Sequence, residues 1–317
     1  MTHQPILSIC IPTYNRESYL KKLLETIVSQ ECFSNKIEIF IYDDPSSDDT
    51  ESMVWVFMEK YPNIRYHRNV IRAGMMPSIL DAILHCSWKY IWLFGSDDIV
   101  GPFWLESMLR ILNEQEPDLV LSNYAYLKDG INHEKEEIKY QTFDDVSSFC
   151  NSLTDEDTTL SETQYRYHHI SYFSYMSIFC FKNSVFKDSY DILLQTYWKK
   201  YLESHYFNYI FILFWWNLIH RVCLCENPVL TYNQSWEVSW RMSTKIIRDT
   251  FSVLRIINKY NKLQRSSRVI FMKIGFTWCR WFLESEIYHS SITRFIRERY
   301  SPLYNKLVDF YRLIRNK

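Results

Sequence analysis

Between residues 6 and 122 the chain alternates short apolar runs with amphipathic stretches at intervals of about 25 to 30 residues, a rhythm that leaves few folds open. The runs at 6–11, 37–42, 64–67, 90–94 and 119–122 have the length of buried strands and are too short for helices. Between the first two, residues 16–30 carry Leu20, Leu23, Leu24, Ile27 and Val28 at spacings of three and four, an apolar stripe able to pack on a sheet. Further helices are expected up to about Lys60, from Gly74 through Cys86 with Ile79, Ile83 and Leu84 on one face, and from Pro102 to Asn113. Alternation of this kind makes an α/β domain, a Rossmann-like and mostly parallel sheet with helices on both faces.

The fourth run delivers two carboxylates to its own C-terminal end, where Tyr90 to Phe94 stops at Gly95-Ser96-Asp97-Asp98. Ligands bind at that end of an open α/β sheet, and adjacent aspartates there suit a hard divalent cation. The same residue types also make turns and helix caps, so this stretch alone leaves both readings open. The second run ends similarly, in Asp43-Asp44-Pro45-Ser46-Ser47-Asp48-Asp49-Thr50, where Asp48 is the better cap candidate.

After Ser122 the alternation breaks. Residues 128–137 are charged and read as loop, and residues 144–163 are polar with acidic clusters. Residues 172–181 then read as a strand, 190–220 as helical and 229–233 as a short strand, with three or four helices from Ser243 onward. The expected division is a domain over 1–242, with a nucleotide-binding half to 122 and an acceptor half from 123, followed by a basic helical extension over 243–317. From Lys245 to the end there are 16 Lys and Arg against 5 Asp and Glu. That is a net charge of about +11 against about −12 for the rest, which makes the tail the part suited to an anionic partner.

Composition bounds the class. Of 317 residues 47% are hydrophobic, which excludes a disordered chain. The eight cysteines show no Cys-x-x-Cys spacing and read as reduced, mostly buried thiols. Residues 1–5 are polar and the run after them is short, so no signal peptide is expected. The longest apolar region, residues 206–219, contains Asn208 and Asn217 and falls short of the roughly 18 to 20 residues of a membrane span. The chain therefore reads as cytoplasmic.

Four ordered blocks carry a resemblance: Ser8-Ile9-Cys10-Ile11-Pro12-Thr13-Tyr14-Asn15-Arg16; Asp43 to Thr50; Asn69 with Gly74; and Trp92 to Asp98 followed by Pro102. Together they resemble family 2 glycosyltransferases of the GT-A fold, and within them the abequosyltransferase-like branch that serves bacterial surface polysaccharides. The resemblance implies that Pro12, Thr13, Tyr14, Arg16 and Asp43 contact a nucleotide-sugar donor, with Asp43 accepting a hydrogen bond from the base. It also implies that Asp97 and Asp98 hold Mg²⁺ or Mn²⁺ on the diphosphate. Gly95 departs from the pattern, standing where many members have the first aspartate of Asp-x-Asp. Arg72 is a candidate to pair with the diphosphate.

The activity implied is inverting transfer of a sugar to a hydroxyl of a glycan or lipid-linked glycan, with no nucleic acid involved. An enzymic base must take the acceptor proton; Glu203 is the first candidate and His205 the second, at the head of the apolar segment 206–219, with the acidic residues 155–157 next. His168, His169, Cys223 and Cys225 lack partners at metal spacing. Trp236 and Trp240 suit either sugar stacking or a core. The basic tail, with Ile270, Ile274, Trp278 and Trp281 near Arg268, Lys273 and Arg280, suits peripheral contact with an anionic membrane. The rival reading is a non-catalytic nucleotide-sugar or glycan-binding module of the same fold. A nucleotidyltransferase is disfavoured because the loop after the first strand has no glycine for a phosphate cradle.

Overall fold

Branched and aromatic residues make the expected strands, and their burial explains why. The computed structural model describes residues 6–33, 36–101, 103–126, 138–152, 158–159, 166–167, 176–196 and 218–232. Within them run β1 (Leu7–Thr13), α1 (Glu17–Val28), β2 (Ile37–Asp43), α2 (Thr50–Lys60), β3 (Ile64–Arg68), α3 (Met75–His85), β4 (Tyr90–Leu93), β5 (Ile99–Val100), α4 (Trp104–Gln115) and β6 (Leu119–Tyr126). Then follow β7 (Tyr140–Phe143), α5 (Val146–Ser152), β8 (Thr158–Thr159), β9 (Arg166–Tyr167), β10 (Phe179–Lys182), α6 (Asn183–Thr196) and β11 (Val222–Tyr232).

Nine strands form one sheet in the order β3-β2-β1-β4-β10-β6-β11-β5, with β7 also paired to β11. The half from β3 to β4 is parallel. In the other half β10 enters antiparallel between β4 and β6, and β11 runs parallel to β6 but antiparallel to β5 and β7. The short antiparallel pair β8–β9 stands apart from this sheet.

Helices cover the sheet through most of the faces their periodicity marked, with Val28 and Leu84 only half-buried. Leu20, Leu23, Leu24 and Ile27 of α1 are buried, as are Ile79, Leu80, Ala82 and Ile83 of α3. The alternation of a strand places Phe40 and Tyr42 on one face and Ile39 and Ile41 on the other. His85 of α3 stacks on Phe40, which identifies the face α3 covers. Large buried rings pack together around β4. There Trp92, fully buried, packs its ring 3.4 Å from that of Trp104 and 4.9 Å from that of Phe94. Burial of each such side chain contributes about 1.5–3 kcal/mol, so the turn after β4 stands on a rigid base.

Several boundaries differ from expectation. The second-half strand is confined to Phe179–Lys182 among the described residues, and α6 begins at Asn183, seven residues before the expected helix. Residues 218–221 are not helical. The strand expected over 229–233 starts at Val222, because Asn227 and Pro228 are absorbed by register shifts in its pairing with β6. A proline is tolerated at such irregularities. Cys10, Cys86, Cys180, Cys223 and Cys225 are buried free thiols, as expected from their apolar setting. Burial pushes the Cys223 thiol up to about 11, which keeps it protonated and inert. The chain divides into units Met1–Val238 and Ser239–Lys317; the second, with the expected boundary at 242 and the basic helices, lies outside the described residues. Among the described residues no helix is long and apolar enough to cross a membrane.

Candidate active site

Parallel pairing brings the C-terminal ends of β2, β1 and β4 side by side, Thr13 opposite Asp43 and Cys10 opposite Leu93. The loop after β1 is tied to the loop after β2. The Asp44 N–H donates to the Thr13 carbonyl at 2.9 Å, the Asn15 N–H to Ser46 Oγ at 2.9 Å, and the Ser47 N–H to Asn15 Oδ1 at 2.7 Å. Asn15 adopts φ 51°, a left-handed conformation that asparagine accepts more readily than most residues. The Thr13 side chain, 5% exposed, keeps a buried hydroxyl without a hydrogen-bond partner among the described residues.

The two aspartates after β2 do different things. Asp43 is fully buried. Its Oδ1 accepts from the Ser46 N–H at 3.0 Å and from the Ser46 hydroxyl, and its Oδ2 from the Tyr66 hydroxyl at 2.6 Å, with Arg68 Nε at 3.7 Å. Burial and the Asp43 carboxylate both push the Tyr66 phenol well up, so Tyr66 remains a donor. Asp44 accepts instead from the backbone N–H groups of Ala73, at 2.7 Å, and Gly74, at 2.9 Å, holding the loop that leads into α3. Gly74 has φ 92°, which other residues rarely adopt. On this loop Arg72 lays its guanidinium 3.9 Å over the Tyr14 ring, with Nε 4.0 Å from Asp44. Arg16, by contrast, stacks on Tyr19 of the helix it precedes, at 5.3 Å. Asp48, the better cap candidate from the sequence, stands one residue before the observed N-cap of α2, Asp49, which makes no side-chain cap bond; its Oδ1 accepts from the Thr50 N–H at 3.1 Å and its Oδ2 from the N–H of Glu17, the first residue of α1, at 3.0 Å.

The turn after β4 folds its two carboxylates back over Gly95. A Cβ on Gly95 would lie 2.7 Å from Asp98 Oδ2 and 3.2 Å from Asp97 Oδ1, so both carboxylates lie against this glycine. Asp98 is 1% exposed and Asp97 is partly exposed. Two neighbouring carboxylates suit Mg²⁺ or Mn²⁺, which bind oxygen and retain waters. Among the described residues no group of three or more His, Cys, Asp or Glu could hold a metal ion.

The structure thus brings Pro12, Thr13, Tyr14, Asp43, Arg72, Asp97 and Asp98 to one end of the sheet. Glu203, His205, His168, His169, Trp236, Trp240 and the acidic residues 155–157 lie outside the described residues. The sequence reading missed Asp44, Asn15, Ser46, Tyr66 and Arg68 as a connected set, and Ser177. The dense Ser and Asp run after β2 was the signal for Ser46. Ser177 had none, since its partners lie 79 and 82 residues away.

Comparison with known proteins gives this geometry a family. Residues 8–190 match the family model described as "Glycosyl transferase family 2". Over 111 residues the chain is 40% identical to abequosyltransferase RfbV of Salmonella typhimurium, covering 35% of this chain and 33% of that protein. It is 32% identical over 119 residues to a poly(ribitol-phosphate) beta-glucosyltransferase of Bacillus spizizenii, covering 36% and 18% of the two chains. The chain therefore spans a third or less of the length of these curated relatives. Among solved structures, S. aureus TarS 1-349 superposes with a TM-score of 0.64 at 16% identity, covering 98% of this chain and 90% of TarS 1-349. The mannosyltransferase PcManGT of Pyrobaculum calidifontis, in complex with GDP-Man and Mn²⁺, gives 0.57 at 13% identity, covering 99% and 85%. These likenesses establish the GT-A-like fold.

Proposed function

Because the chain belongs to glycosyl transferase family 2, we propose that it is an inverting, metal-dependent glycosyltransferase that moves a sugar from a nucleoside-diphosphate sugar to a hydroxyl of a glycan or lipid-linked glycan in bacterial surface polysaccharide synthesis. One observation carries the reading: two carboxylates lie against Gly95 at the end of β4, beside the ends of β1 and β2. Support for the donor class comes from solved neighbours in complex with UDP-GlcNAc and with GDP-Man and Mn²⁺. Support for the acceptor class comes from relatives named for abequosyl transfer, poly(ribitol-phosphate) glucosylation and minor teichoic acid biosynthesis.

In this reading the nucleotide lies across the ends of β1 and β2. The Thr13 hydroxyl, Tyr14, Arg16 and the strand-end Asp43 contact it, and Arg72 leaves its stack on Tyr14 to meet the diphosphate. Asp97 and Asp98 hold Mg²⁺ or Mn²⁺, which when bound offsets the charge on the departing diphosphate, a stabilisation of several kcal/mol. Glu203, or His205 after it, takes the acceptor proton, and inversion follows from direct displacement without a covalent enzyme intermediate. The catalytic unit over 1–242 acts at the cytoplasmic face of a membrane, which the basic segment 243–317 contacts peripherally.

A thermal-shift screen of UDP-, GDP- and other nucleotide sugars with Mn²⁺ identifies the donor, and release of free nucleoside diphosphate with a glycan acceptor then tests transfer. Stabilisation without any release would instead mean a binding module. Glu203→Gln and His205→Ala are compared in the same assay. Loss of turnover by about 10² to 10⁴ with donor binding retained marks the base, and normal turnover in both places it elsewhere.

A further inference from the structure

The carboxylates after β4 are positioned from the other half of the sheet. Ser177 belongs to a one-turn 3-10 helix, Met176–Ile178, directly before β10, and is fully buried. It makes three hydrogen bonds to β4 and its turn. Its carbonyl accepts from Trp92 Nε1 at 2.9 Å, its hydroxyl oxygen accepts from the Gly95 N–H at 2.7 Å, and its hydroxyl donates to Asp98 Oδ2. The polarity is forced. An N–H can only donate, so the single hydroxyl proton of Ser177 is left for the carboxylate.

Two further facts make this a device for holding Asp98. The backbone at Ser177 is fixed by the strand it precedes, because Cys180 pairs with Trp92 and Phe181 with Ile91 across β10 and β4. And Asp98 folds back onto Ser177 across a residue with no Cβ: one placed there would stand 2.7 Å from Asp98 Oδ2 and 3.3 Å from its Cγ, so the carboxylate would have to shift. Glycine at 95 and serine at 177 are thus two parts of one arrangement. With no side chain at residue 95, Asp98 occupies the space above it.

We propose that Ser177 is a positioning residue for the divalent cation. By fixing the rotation of the Asp98 carboxyl group, it holds that group in one orientation beside Asp97. A ligand oriented in advance loses less freedom when the ion binds, and removal of such a supporting hydrogen bond typically lowers metal affinity 10- to 100-fold. Adding a third carboxylate at residue 95 should therefore not help. Gly95→Asp is expected to weaken cation binding, because its Cβ displaces the Asp98 carboxylate from Ser177.

The proposal rests on the reading of Asp97 and Asp98 as cation ligands, and one experiment tells the two apart. Mn²⁺ is titrated into the full chain without donor, free Mn²⁺ is read by its electron paramagnetic resonance signal, and thermal melting is recorded for each variant. The wild type is expected to bind Mn²⁺. Ser177→Ala and Gly95→Ala are expected to melt cooperatively and to bind about 10- to 100-fold more weakly. If the wild type binds no Mn²⁺, the cation reading fails and the proposal with it. If both variants fold and bind as the wild type does, the cation reading stands and the role of Ser177 is overturned. If neither variant folds, the role is likewise overturned, since the hydroxyl is then a requirement of the fold.

Discussion

At the ends of β1 and β2 the polar side chains are held by partners near in sequence, whereas at the end of β4 they are held from far away. Asp43 takes Ser46 three residues on and Tyr66 twenty-three on, and Asn15 takes Ser46 and Ser47 from the adjoining βαβ unit. Asp98 is held by Ser177, 79 residues on, and β5 directly after it pairs with Leu230 and Thr231 of β11. The first region can form once β1, β2 and β3 pair, three strands that are consecutive in the chain. The second is complete only when β10 has entered antiparallel and β11 has closed the far edge. If the donor end is built for stability and the β4 turn for ligand geometry, mutations in the two should separate into stability effects and turnover effects.

The largest effect expected is on turnover. Asp97→Ala and Asp98→Ala should each cut transfer by about 10²-fold or more, since several kcal/mol of charge stabilisation depend on them. Nucleoside diphosphate release would measure this, with the melting temperature of Asp97→Ala staying near that of the wild type. Next comes Asp43→Ala, which strips the acceptor from Ser46, Tyr66 and Arg68 in a buried setting. It should lower the unfolding free energy by about 2–4 kcal/mol in urea titrations. A silent Asp43→Ala would break the comparison, because the donor end would then not be the more tightly built of the two. Asn15→Ala loses the Ser47 bond and meets a left-handed backbone, at a cost of about 1–2 kcal/mol, while Asn15→Gly should lose less because glycine accepts that φ.

The smallest effect concerns Asp48. Against the opposing penalty of partial burial, hydrogen bonds from Thr50 Oγ1 and from the N–H groups of Glu17 and Thr50 hold its carboxyl below the usual carboxylate range. A lowered folded value means that its contribution is fully present above that range and fades as pH falls through the folded value. The difference in melting temperature between wild type and Asp48→Ala should therefore be seen at about pH 7 and shrink towards about pH 3.

The same contrast explains what could be read from the chain. The parallel half was legible because each strand and helix carries its own periodicity: Leu20, Leu23, Leu24 and Ile27 mark the buried side of α1 without reference to anything distant. The strand ends with Asp43, Asp97 and Asp98 were legible for the same reason. The insertion of β10 between β4 and β6 was not, because an antiparallel neighbour so distant in sequence leaves no mark on local periodicity. Nor was the full length of β11, where Asn227 and Pro228 look like a break and are accommodated by a shift in register. Gly95 looked like a departure from a motif; only the approach of Asp98 shows what its missing side chain permits.

Whether the Asp97 and Asp98 carboxylates hold a divalent cation for transfer from a nucleoside-diphosphate sugar is tested most directly by following nucleoside diphosphate release. The donor found by screening is supplied first with Mn²⁺, then with excess EDTA, then with Mn²⁺ restored. Release is expected to stop in EDTA and to return with Mn²⁺ in the wild type, and to stay low throughout in Asp98→Ala. Undiminished release in excess EDTA, or full activity in both Asp97→Ala and Asp98→Ala, would contradict a cation held by this pair.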